Sequence, residues 1–105
     1  MISEGMLDVL AKREEKKIER TNVYFQLSSK YGVDKQLIVA NEELSELQKE
    51  ICKYLRGKGT RENLAEEVAD VKIMLEQIIC FFNIEYEVEK VVDEKIQRTK
   101  ERLLC

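Results

Sequence analysis

Two apolar stripes, one on each side of Gly57-Lys58-Gly59, constrain this chain more than any other feature. Ahead of the break, Leu37, Ala40, Leu44, Leu47, Ile51 and Leu55 recur at spacings of three and four residues; after it, Leu64, Val68, Val71, Leu75, Ile78 and Phe82 do the same. Each pattern describes an amphipathic helix of about six turns with one side to bury. A connection this short sends the second helix back antiparallel to the first.

The end signals agree with this reading. Asp34 is the expected N-cap of the first stripe's helix, with Val33 stapled against Ile38, and Gly57 closes it. Thr60 is the expected cap of the returning helix, Glu62 suits its first turn, and Asn83, tolerant of positive φ, is its stop. A last helix is predicted over 85–103, carrying Val88, Val91, Val92, Ile96 and Leu103. Upstream, a helix from about Tyr24 to Lys30 ends at Tyr31-Gly32. Between Lys12 and Arg20 eight of nine residues are charged, with mixed signs, which predicts a solvated helix or arm. The expected organisation is thus a charged N-terminal arm or helix over 1–21 and one helical domain over 22–105.

Composition narrows the classes further. The chain has 105 residues, no proline and four glycines, too few turn residues for an all-β domain. The expected fold is all-α, an antiparallel bundle of four to five helices. A chain this short buries few layers of side chains, so the bundle is expected to be completed by homodimerisation, as a homodimer or homotetramer. A net charge of −3 argues against a nucleic-acid polymer as partner. The absence of histidine excludes histidine-based acid–base catalysis, Ser-His-Asp triads and Glu-x-x-His di-iron sites. Three cysteines without CxxC spacing fit reduced thiols in a cytoplasm. No apolar run reaches the roughly 18 residues of a membrane span, and the first residues do not read as a signal peptide.

The acidic residues carry the chemistry. At about 100° per residue, Glu43 and Glu46 lie close together on one shoulder of the first stripe, with Glu50 between them one turn on. Glu67 and Asp70 sit likewise on the shoulder of the second stripe, at matching height in the hairpin. Glu42 points away. Carboxylates that converge and lose solvent raise one another's pKa, and a hard divalent cation with oxygen ligands relieves this. Read one helix at a time, the same acids are an ordinary solvated face.

The run Glu42-Glu43-Leu44-Ser45-Glu46-Leu47, followed by Glu67-Val68-Ala69-Asp70-Val71, resembles the EExxE…ExxD signature of MazG-like all-α nucleoside triphosphate pyrophosphohydrolases. Gln36-Leu37-Ile38 and Asp93-Glu94-Lys95-Ile96-Gln97-Arg98 extend the resemblance, which covers about residues 22–103. It implies Mg²⁺, or Mn²⁺, held by Glu43, Glu46, Glu67 and Asp70. It implies a nucleoside triphosphate substrate cut between its α- and β-phosphates, phosphates held by Lys95 and Arg98, and substrate contact at Gln36. Glu46 and Glu50 are the candidates for orienting the attacking water. The sequence departs from the family where Asp93 and Glu94 replace a frequent asparagine, and no tryptophan is available to stack on a base. That leaves Tyr24, Phe25, Phe81 or Tyr86 for any aromatic contact. Phosphoribosyl-ATP pyrophosphohydrolases share the acidic signature and are the alternative enzyme class. A non-catalytic helical interaction module on the same scaffold, and a plain antiparallel coiled-coil dimer, are the readings without catalysis.

Overall fold

A computed structural model describes residues 2–105; Met1, the first residue of the expected N-terminal arm, lies outside the described residues. Among the described residues there are four helices and no strand: α1 (Glu4–Tyr31), α2 (Val33–Leu55), α3 (Arg61–Phe82) and α4 (Glu85–Leu103). Among the described residues no helix is long and apolar enough to cross a membrane.

The charged segment and the helix expected from Tyr24 form one element, α1. Ser3 caps it, its Oγ accepting from the Met6 amide at 3.2 Å, and Gly32 at φ 88° ends it. Every described residue before Thr21 is exposed. Beyond that point Tyr24 anchors α1 on α3: it is buried and its hydroxyl donates to Glu76 Oε1 at 3.0 Å. Desolvation, followed by the Glu76 hydrogen bond, pushes the Tyr24 phenol up to about 12. Two further ion pairs tie α1 down, Arg20 to Glu76 at 3.5 Å and Lys17 to Glu85 of α4 at 2.9 Å.

Helix α2 starts two residues earlier than its capping signal predicts. Gly32 occupies the N-cap without a side-chain bond, and Asp34 lies inside the first turn. There its carboxylate faces the positive end of the helix dipole rather than capping a single amide. Ile38, the expected staple partner of Val33, is 59 % exposed. The remaining end signals hold. Gly57 turns the chain at φ 72°, and the Lys53 carbonyl accepts from both the Lys58 and Gly59 amides. Thr60 Oγ1 accepts from the Asn63 amide at 3.1 Å, and Asn83 stops α3 in the left-handed region at φ 52°.

The α2–α3 hairpin is the main packing unit, as the two stripes require. Its seam, however, lies on one edge of those stripes. Ala40, Val71 and Met74 are buried there together with Gln36, Glu50 and Gln77, while Leu44, Ile51, Val68 and Leu75 are 40–49 % exposed. The apolar arc of each helix is wider than one neighbour can cover, so a two-helix contact buries one edge and leaves the other open. Helix α4 packs on α3, meets α1 through the Lys17–Glu85 pair, and has no buried residue. Of its expected core stripe, Val88 is half-buried, and Val91, Val92, Ile96 and Leu103 are exposed.

The turn between α2 and α3 supplies two stability tests. Thr60→Ala removes the α3 cap and is expected to cost about 1 kcal/mol in denaturant unfolding at fixed protein concentration. A Cβ at Gly59 would stand 3.0 Å from the Tyr54 amide nitrogen and 3.1 Å from Tyr54 Cα. Because both contacts are backbone, Gly59→Ala is expected to cost about 1–3 kcal/mol in the same measurement.

Candidate metal centre

The rotation of the hairpin that exposes Leu44 and Val68 turns their neighbours Glu43 and Glu67 towards the opposite helix. Seven-residue spacing places Gln36, Glu43 and Glu50 along one line of α2, with Ala40 and Leu47 between them. The facing line of α3 runs through Glu67, Val71 and Met74, with Asp70 beside it. Carboxylates and aliphatic side chains thus alternate along the seam, and the acids lose solvent to the methyl groups around them.

Three of the four predicted ligands come together. Glu43, Glu67 and Asp70 are half-buried, and each offers a carboxylate oxygen within 4.8 Å of those of the other two. Desolvation is the largest cause raising the Glu43 carboxyl above the usual glutamate value. The Asp70 charge comes next, with a hydrogen bond that protonated Glu43 can donate to Asp70, and then Glu67 and Glu46. Glu67 is raised likewise, by desolvation first and then by Asp70, Glu46, Glu66 and Glu50. One Glu67 oxygen is buried without a hydrogen-bond partner. An acid trio with an orphaned oxygen and mutual repulsion fits a hard cation, which accepts all-oxygen donors and offsets the charge.

The other predicted residues fall outside this trio. Glu46 is exposed and lies 3.3 Å from Lys49, near enough to raise Glu43 and Glu67 electrostatically but not grouped with them as a ligand. Glu50 is buried further towards the turn, 3.9 Å from Lys53, and its second oxygen has no partner. Gln36 is buried two helical turns from Glu43, at the end of the seam away from the turn. Lys95 and Arg98 share a shallow cavity of about 280 Å³ with Thr99 and Arg102. All four belong to α4, which does not pack on α2. Within one chain they form a basic shelf separate from the carboxylates.

Gln77 was not singled out from the sequence. It is 2 % exposed, its amide donates to Met74 Sδ at 3.7 Å, and its carbonyl oxygen is unpartnered. Its spacing of seven from Asp70 was the available signal, because that places both on the same side of α3.

The raised carboxyls contribute a pH dependence to the metal-free protein. Glu43 and Glu67 bind protons more tightly folded than unfolded, so their contribution is fully present below the ordinary value of 4.5. It is lost as pH rises through their folded values. In chelator, melting temperature is therefore expected to fall as pH is raised from about 4.5 to neutrality. Glu43→Gln is expected to flatten that fall, raise the metal-free melting temperature at pH 7 and remove stabilisation by Mg²⁺. An unchanged pH profile in Glu43→Gln would show that the cluster is not the cause.

No protein-family model matches this chain, and no curated protein or solved structure matches it either.

Proposed function

We propose that the chain is a Mg²⁺-dependent nucleoside triphosphate pyrophosphohydrolase, cutting between the α- and β-phosphates to release a nucleoside monophosphate and pyrophosphate. The observation that carries this reading is the convergence of Glu43, Glu67 and Asp70 from two helices, half-buried, with the Glu43 and Glu67 carboxyls raised by desolvation and by their acidic neighbours. The order of acids along α2 and α3, which resembles the MazG-like signature, selects phosphate chemistry among the uses of such a cluster.

Glu43, Glu67 and Asp70 are the ligands in this reading, with Glu46 joining them on release from Lys49. A bound Mg²⁺ would neutralise charge on the phosphates and acidify a water. Water adds at phosphorus, the bridging P–O bond breaks, and pyrophosphate carries away the bonding electrons. Glu46 or Glu50 takes the water's proton. Glu50 has a buried oxygen without a hydrogen-bond partner. Lys95 and Arg98 hold phosphates only if α4 of another copy brings them to the seam, so the working unit is a homodimer or homotetramer. Its three free thiols suit a reducing cytoplasm.

A non-catalytic helical interaction module is the second reading, favoured by the separation of the α4 cations from the carboxylates within one chain. A thermal melt with and without millimolar Mg²⁺, beside a pyrophosphate-release screen of NTPs and dNTPs, separates the two. Stabilisation with pyrophosphate release is the expected outcome. Glu43→Gln and Asp70→Asn should each lower kcat by at least ~10²-fold while leaving the helical content intact. Full turnover in either variant refutes the ligand assignment, and a folded protein with neither response supports the module.

A further inference from the structure

Helices α1 and α4 meet at one point and then part. Lys17 Nζ donates to Glu85 Oε1 at 2.9 Å, yet no Cα of α4 comes within 8 Å of one in α1. From that pair the outer half of α1 and the length of α4 diverge, and the protomer spreads over 49 × 47 × 28 Å. Buried Tyr24 anchors α1. Little holds α4, which has no buried residue and no side-chain cap and joins α3 through Asn83 and Ile84.

The diverging helices carry matching faces. In steps of four, three and four residues, α1 reads Lys17, Arg13, Leu10 and Met6 towards its N-terminus. In the same steps α4 reads Glu85, Glu89, Val92 and Ile96 towards its C-terminus. Each set lies within an arc of about 60° on its helix, and each begins at the bond the two helices already make. Laid antiparallel from that bond, Arg13 comes opposite Glu89, Leu10 opposite Val92, and Met6 opposite Ile96. The four apolar members are 45–57 % exposed. No acid stands three or four residues from Arg13, and no cation three or four from Glu89, so neither finds a partner on its own helix.

We infer that α4 swings about Asn83 and Ile84 and closes on the outer half of α1 in the same chain, pairing Arg13 with Glu89 and burying Met6 and Leu10 against Val92 and Ile96. Recurrence at three and four residues on both faces is the spacing that packed helix pairs use. The occupant is the chain's own α4, because the Lys17–Glu85 bond sets the register and the tether gives the two faces a high effective concentration. Lys95, Arg98 and Arg102 lie roughly 90–150° from the centre of the α4 line, so the basic shelf stays in solvent on closure. The inference stands on helix faces and one ion pair, independent of the hydrolase reading.

Disulfide trapping in the full chain tests it. A bridge needs Cα atoms within about 7 Å, which the open arrangement of α1 and α4 offers nowhere. With exposed Cys52 and Cys105 replaced by serine, the pair Leu10→Cys, Val92→Cys is oxidised with diamide in dilute solution. The expected product is a monomeric chain carrying the 10–92 bridge, identified by peptide mass, while the off-face pair Leu10→Cys, Arg98→Cys stays reduced. Arg13→Glu should slow bridging about threefold, and adding Glu89→Arg should restore it. The inference is overturned by no bridge, by equal bridging in the off-face pair, by a rate indifferent to both charge changes, or by bridges joining isotope-labelled to unlabelled chains. Should the paired cysteines impair folding, Ile96→Asp in the otherwise unaltered chain decides. Loss of amide-exchange protection across residues 4–12 supports closure, and unchanged protection overturns it.

Discussion

The seam between α2 and α3 holds the molecule together and also confines its carboxylates. Glu43 and Glu67 occupy positions that a helical hairpin ordinarily gives to aliphatic side chains, between Ala40, Val71 and Met74. Burial raises both carboxyls, and their proximity to Asp70 raises them further. Packing that stabilises the hairpin is therefore opposed by repulsion within it. A cation would relieve the repulsion without loosening the packing, which couples any metal bound here to the stability of the hairpin itself.

The turn determines how the seam is registered. Gly57, the Lys53 carbonyl and the Thr60 cap close α2 onto α3 with no slack. Carboxylates counted outward from it on the two helices then meet at the same height. Gly59 lies against the Tyr54 backbone and the buried Glu50 oxygen, so the turn and the inner end of the acid line form one packed unit. Helix α1 is attached differently, by Tyr24 and charged pairs to Glu76 and Glu85. Its outer turns are free of core contacts.

Much of this was legible along the chain. The stripes predicted the hairpin, Thr60 and Asn83 marked the ends of α3, and the last helix falls where its pattern placed it. Capping chemistry is local, so it can be read locally. Asp34 shows the limit, because Gly32 released the chain into α2 two residues sooner than the cap signal implied. The same holds for the site. Spacing identified Glu43, Glu67 and Asp70, whereas the pairing of Glu46 with Lys49, the burial of Glu50 and Gln77, and the distance of the α4 cations from the seam depend on which side chains the fold brings alongside.

By itself, then, the sequence determined that the chain is helical, where α2 turns into α3, and which acids share a height on the two helices. All of these follow from the 3.6-residue period and from end chemistry within a few residues. Only the tertiary structure decided which edge of each wide apolar arc faces the other helix. Either edge satisfies the period, and the choice rests on contacts between residues far apart in the chain. That rotation places carboxylates inside the hairpin and leaves Leu44, Ile51, Val68 and Leu75 outside it.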